Sequence, residues 1–287
     1  MTNADRRRPW TWRRVARKAP LVAGKGLLGL AFILAALFPL AWLIISGFKS
    51  RTEVTHTPFQ FFPEVWRWQN YAQILNDPAF LRAAALSFGG ALVFALLSLT
   101  INSMAAYVFA RLDFRFKTAA WLAVIGTMFI PWMAILLTSF IVVSQLRMLN
   151  TLAVLLLPAA ASAGQIFFMR QFYYAVPRSL EEAALMDGAG PFRIFLSIFV
   201  PMSKPIFVVV AMTSFLGYWN SYVWPVMTLS NTKLYQIQQF LATFKAERST
   251  ELGLLMAGSA LASAPVIILC LILQRYLVEG VKMTGIK

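Results

Sequence analysis

Charged residues cut this chain into long apolar stretches. Between consecutive Asp, Glu, Lys and Arg residues lie six charge-free runs, 26–48, 83–110, 118–146, 148–169, 205–232 and 252–274, each of 22 to 29 residues. The next longest, 234–244, has only 11, so the six stand apart by a clear margin. About 20 apolar residues in a helix cross a hydrocarbon layer roughly 30 Å thick, so each run is long enough to cross once. The pattern predicts an all-α membrane protein of six transmembrane helices, at about 26–48, 83–110, 118–141, 151–169, 205–226 and 256–276. Pro39, Pro131, Pro158 and Pro265 fall within these spans and predict kinks. The two longest connecting pieces, 49–82 and 170–204, have 34 and 35 residues, too few for a separate soluble domain, which needs about 40 or more. The reading is one transmembrane domain over 26–278, an N-terminal segment 1–25 and a tail 279–287.

The basic residues orient the bundle. Arg6, Arg7, Arg8, Arg13, Arg14, Arg17, Lys18 and Lys25 precede the first span. Placing that segment in the cytoplasm puts 18 of the 26 Lys and Arg residues on the inner face, so both termini are predicted inside. The first apolar run is 23 residues long with no A-x-A-like site after it, which reads as an uncleaved span. Composition agrees: 59% of residues are hydrophobic and only 13% are charged, against about 25% in a soluble domain. A net charge of +15 would suit nucleic acid, but here the charge follows one membrane face and forms no groove, so no nucleic-acid partner is expected.

Several chemistries are excluded by what is missing. One cysteine (Cys270) and one histidine (His56) cannot build a His/Cys metal cluster, and no metal or cofactor site is expected. The one acid cluster, Glu181, Glu182 and Asp187, and the sole histidine, His56, are placed on opposite membrane faces, so no acid–histidine pair can form there and no catalytic residues are expected. All six spans can be drawn without an ionisable Asp, Glu, Lys, Arg or His, which argues against a proton- or ion-coupled carrier. No G-x-x-x-x-G-K-[ST] loop is present to hold ATP phosphates. A transport role therefore draws its energy from a partner.

The inner piece 170–204 carries the most information. Ser179 and Glu182 have capping-box spacing at the start of a short helix. Leu180, Ala183 and Ala184 give it a small apolar face, and Gly188-Ala189-Gly190 stops it. Pro191 suits the first position of a second helix, in which Phe192, Phe195, Leu196 and Phe199 share a face and Pro201 marks the end. The acids Glu181, Glu182 and Asp187 interrupt an otherwise basic surface. Such a hairpin either docks on a partner or lies on lipid as an amphipathic pair.

This stretch resembles the EAA loop of binding-protein-dependent ABC importer permeases, whose pattern is E-A-A, three residues, G, nine residues, then I-x-L-P. Glu182-Ala183-Ala184, Gly188 and Ile198-Phe199-Val200-Pro201 match at that spacing, with Val200 in place of Leu. AAYVFARLDF (105–114), WNSYVWP (219–225) and the stretch 252–280 are similar to the maltose-type, MalG-like carbohydrate branch. The resemblance implies a type I ABC importer permease fold in the bacterial inner membrane. It also implies a second permease subunit, two ATPase subunits that bind ATP and Mg, an extracytoplasmic solute-binding protein and a sugar substrate. Ser179, Glu181, Glu182, Ala183, Ala184, Asp187 and Gly188 would then form the coupling helix that docks in the ATPase. A polyol or glycerol-phosphate-type solute is the alternative substrate; a carrier or scaffold outside the ABC class is the alternative function.

Tyr218, Trp219, Asn220, Ser221, Tyr222 and Trp224 lie at the outer end of the fifth span. Aromatic faces and amides suit a sugar path, and the same residues suit an aromatic belt at the membrane surface. In the last outer segment, 226–251, the resemblance makes Lys233, Gln236, Gln238, Gln239, Lys245 and Glu247 candidates for binding-protein docking, the alternative being plain solvated surface. The loop 49–82, with FQFFPEVWRWQNY, reads as an aromatic external cap in which His56 is an ordinary loop residue.

Overall fold

The computed structural model describes residues 12–246 and 252–284, and the side chains of 24–244 and 252–274. All regular structure among the described residues is helical. Helix α1 (Trp12–Ser46) contains most of the first apolar run and leans on the last helix, α15 (Leu252–Thr284). Two short helices follow it, α2 (Arg51–Val54) and α3 (Trp68–Leu75). The longest fully described helix is α4 (Pro78–Arg111), 34 residues and about 51 Å. Asp77 caps it by accepting from Ala79 N at 2.8 Å, with Pro78 at its first position.

Lipid is as apolar as a leucine side chain, so helices in a membrane are held by close packing and hydrogen bonds more than by expulsion of water. The sequence of α4 is built for this. Ala83, Ser87, Ala91, Ala95, Ser98, Asn102, Ala106 and Ala110 recur at three- and four-residue spacing, and all are buried. The stripe lets α4 approach α8 (Ala163–Tyr174) and α12 (Lys204–Trp219), its two main neighbours. Gly90 allows the closest approach, since a Cβ there would meet Tyr218 Cζ at 2.6 Å.

Among the described residues, three helices are long and apolar enough to cross a membrane: Gly24–Ser46, Pro78–Arg111 and Leu252–Gln274. Two bent pairs raise the number to five if each counts as one span. The run expected as one helix over 118–141 is two, α5 (Lys117–Thr127) and α6 (Trp132–Gln145), meeting at 103°. Pro131, extended at ψ 131°, is the N-cap of α6, so the chain turns there instead of kinking mildly. The run at 151–169 is also broken. It holds the single turn α7 (Ala153–Leu156), a non-helical stretch around Pro158, and then α8 from Ala163. The fifth run is helical only to Trp219 and resumes in α13 (Val223–Thr228).

Two apolar clusters result, with α4 running through both. One gathers Ile74, Phe80, Phe94, Phe215, Trp219, Ile237, Phe240 and Leu254. The other gathers Ala106, Tyr107, Met169, Tyr173, Phe195, Phe199, Ile206 and Val210. Between them along α4 and α12 fall the buried polar residues Ser98, Asn102 and Ser214. The segment 226–251, expected as an outer loop, contains α14 (Ile237–Ala246), which buries Ile237, Phe240, Leu241 and Phe244 against α4 and α15.

Candidate functional site

The EAA-like residues lie on α9 (Arg178–Met186). Its N-cap is Pro177, with no side-chain cap bond, so the expected capping box of Ser179 and Glu182 does not form. The physical reason is register: the helix starts at Arg178, which makes Ser179 its second residue. Its C-terminus ends in a Schellman turn. Gly188 has φ +76°, its N–H donates to Leu185 O at 3.0 Å, and Ala189 N–H donates to Ala184 O at 2.9 Å. After Pro191, the short helix α10 (Pro191–Ile194) passes into a π turn (Phe195–Phe199) and α11 (Val200–Met202). The chain therefore stays helical through Pro201 and bends by 84° into α12 at Ser203. Of the expected apolar face, Phe195 and Phe199 are buried while Phe192 and Leu196 are exposed.

The adjacent acids of α9 point different ways. Glu182 is exposed, together with Leu180, Ala183, Leu185, Asp187 and Met186, the last at 88%. Glu181 turns inward and pairs with Arg111 at 2.9 Å. Burial pushes the Glu181 carboxyl above its ordinary value, against the pull of the Arg111 and Arg178 guanidiniums. Arg111 also donates to the carbonyls of Tyr173 and Val176 and lies over the Phe199 ring at 5.3 Å. In the sequence Arg111 stands in AAYVFARLDF, one of the stretches similar to the MalG-like branch, with no sign there of these partners.

On the other side of the polar layer is a cavity of about 680 Å³. Tyr218, Asn220, Ser221, Tyr222 and Trp224 line it, with Trp132, Ser139, Thr213 and Gln236. Among the described residues that line it there is no Asp, Glu, Lys, Arg or His. Trp219 is absent from the lining; it is 2% exposed and stacks on Phe215 at 5.9 Å. Part of the wall is a closed hydrogen-bond network. Gln165 Oε1 accepts from Ser98 Oγ at 2.8 Å and Asn102 Nδ2 at 2.9 Å, while Gln165 Nε2 donates to Ser214 Oγ at 2.8 Å. Asn102 also satisfies the break before α8, donating to Ala160 O at 3.0 Å and accepting from Ser162 N at 2.8 Å. In lipid such groups need partners, and this side chain supplies them. Ser98, Asn102, Gln165 and Ser214 were not singled out from sequence, although Ser98 and Asn102, four residues apart in a charge-free run, were a readable signal.

The outer candidates divide. Lys233 is exposed and Gln238 half-buried. Gln236 and Gln239 are buried: Gln236 accepts from Ser87 Oγ at 3.2 Å, and Gln239 donates to Leu229 O at 3.0 Å. Both are thus committed to holding α14 in place. The side chain of Lys245, and Glu247 entirely, lie outside the described residues.

The cavity thus lies among broken helices, while α9 is exposed and firmly terminated. The chain belongs to the family described as binding-protein-dependent transport system inner membrane component, which it matches over residues 108–283. It is an inner-membrane permease subunit of an ABC importer, a family whose permease subunits are not themselves catalytic. It is 29% identical over 275 residues to the arabinooligosaccharides transport system permease protein AraQ of Halalkalibacterium halodurans, covering 94% of this chain and 99% of that one. It is 30% identical over 264 residues to the sn-glycerol-3-phosphate transport system permease protein UgpE of Escherichia coli, covering 88% and 92%. The fold matches a chain of a bacterial ABC transporter involved in the import of the acidic polysaccharide alginate. The TM-score is 0.78 at 22% identity, covering 96% of this chain and all of that one.

Proposed function

We propose that this subunit imports a neutral carbohydrate by alternating access, driven by ATP hydrolysis on separate ATPase subunits that bind ATP and Mg. In this reading six spans form a single permease domain over 26–278, with both termini in the cytoplasm and the coupling loop at 170–204. The subunit pairs with a second permease, docks α9 in an ATPase cleft, and receives solute from a binding protein on the outer face. Ser179, Glu182, Ala183, Ala184, Asp187 and Gly188 form the ATPase-facing side, and Tyr218, Asn220 and Tyr222 the path; Lys233 and Lys245 remain the docking candidates for the binding protein.

The observation that carries the reading is the cavity lining. It offers aromatic faces, amides and hydroxyls without a charged side chain. Aromatic faces stack on the C–H faces of a sugar, and amides and hydroxyls meet its hydroxyl groups. A phosphate ester would need a cationic partner that this lining lacks, which weighs against the glycerol-phosphate alternative despite the likeness to UgpE.

The test is uptake into proteoliposomes holding the whole importer, with labelled neutral oligosaccharide or labelled glycerol-3-phosphate. Expected is ATP-dependent uptake of the sugar, abolished by Glu182→Lys while the complex remains in the membrane. Uptake without ATP, or preference for the phosphate ester, would overturn the respective part of the proposal.

A further inference from the structure

None of the residues of α9 is buried, so packing alone holds this helix only weakly to the bundle. Its firmest side-chain attachment is the 2.9 Å ion pair between Glu181 and Arg111, whose side chains are 15% and 4% exposed. Arg111 is the last residue of α4, and its other Nη donates to two carbonyls, that of Tyr173 in the last turn of α8 and that of Val176 just beyond it. One guanidinium thus joins three elements: α9, the end of α4 and the end of α8. Further along, α4 carries Ser98 and Asn102 and α8 carries Gln165, the residues of the cavity-wall network.

We propose that Arg111 is the positioning residue of the coupling helix, through which displacement of α9 is passed to α4 and α8 together and so to the cavity wall. The proposal rests on the functional reading above, in which an ATPase moves α9. The planar fork suits this role because one Nη sets its charge beside the carboxylate while the other donates to two carbonyls. A lysine in its place keeps the charge but cannot hold all three in fixed geometry. Arg170 provides an internal control. It ties α8 to α4 through Nε and Phe109 O at 3.0 Å and lies over Trp121 at 3.9 Å. With Tyr174, under the same guanidinium at 4.6 Å, these partners belong to α4, α5 and α8 and not to α9.

The experiment compares solute taken up per ATP hydrolysed in the whole reconstituted importer, with co-purified ATPase measured for each variant. Arg111→Gln and Glu181→Gln are each expected to lower that ratio about ten-fold with the ATPase still bound, a coupling loss within the usual range for linked sites. Arg111→Lys is expected to recover part of the loss, and Arg170→Gln to stay within about two-fold of the unmutated complex. If Arg111→Gln fails to assemble, Glu181→Gln decides alone, since it removes the pair while leaving the bonds of Arg111 to Tyr173 and Val176. Unchanged coupling in Glu181→Gln overturns the proposal. So does an equal loss in Arg170→Gln, which would mean general loosening of the α4 and α8 ends. An unmutated importer with no ATP-driven uptake would instead overturn the functional reading.

Discussion

Replacing Gly188 separates two reasons a glycine can be required. Space is not the reason here, because a Cβ built at Gly188 meets nothing within 4 Å. Conformation is: φ +76° lies in the left-handed region, which costs an L-residue roughly 1–2 kcal/mol and costs asparagine less. That is a factor of about 5–30 in the population of the terminated helix. The damage from substitution should therefore follow backbone preference and not size. Gly188→Asn, although larger than Gly188→Ala, should keep the turn better, and Gly188→Val should be worst because it is β-branched. The direct assay is amide hydrogen exchange at Ala189, whose N–H is held by Ala184 O at 2.9 Å. Protection should fall about 5–30-fold in the alanine variant and less in the asparagine variant, with uptake per ATP falling in the same order. Protection that falls with side-chain volume, so that the asparagine variant is worse than the alanine one, would refute the reasoning.

Other positions give further expectations. Asn102→Ala leaves the Ser162 N–H and the Ala160 carbonyl unpaired, which should cost about 1–3 kcal/mol and lower the melting temperature of the detergent-solubilised chain. Asn220→Ala should raise the solute concentration for half-maximal uptake about five-fold with the ATPase rate unchanged, whereas Trp219→Ala, a core change of about 3–5 kcal/mol, should reduce the yield of folded protein. Glu53 accepts from Ser50 Oγ at 2.6 Å, Ser50 N at 2.7 Å and Glu64 N at 2.7 Å. Burial alone would raise its pKa, but these donors outweigh it and hold it near 2. With the folded value below the usual carboxylate one, its contribution is present at neutral pH and is lost as pH falls toward 2. Pepsin cleavage within 50–64 should accordingly rise between about pH 4 and pH 2, and Glu53→Gln should remove that dependence.

Apolar length was legible and breaks were not. The run 83–110 was legible as one long helix from its apolar length, but the buried stripe of small residues from Ala83 to Ala110 that packs it was not singled out. The stretches around Pro131 and Pro158 read as kinked helices, since a proline states only that a hydrogen bond is missing. Whether the chain bends mildly or turns through 103° depends on partners elsewhere, here the Asn102 amide for the break near Pro158. The same limit applies to the site. The EAA spacing located α9, but two adjacent glutamates look alike in sequence, and only the fold separates Glu181, turned toward Arg111, from Glu182, left in the open. Gln236 and Gln239 looked like surface for the converse reason: a polar residue in an outer segment gives no sign that Ser87 and the Leu229 carbonyl await it inside.

The closed network also restricts how such a permease can move. Ser98, Asn102, Gln165 and Ser214 join α4, α8 and α12 with each amide satisfied, in a layer between two apolar clusters. Opening that layer would leave several buried polar groups unpaired in an apolar surrounding, at roughly 1–3 kcal/mol each. Moving the three helices together leaves the network intact. A push on α9 through Arg111 is therefore best spent on rigid-body motion of α4, α8 and α12 against their lightly attached neighbours. The described part of α1 is such a neighbour, since it rests chiefly on α15. Serines and amides do not titrate, so this layer needs no proton of its own to move, and a push from one end through the Arg111 contacts suffices.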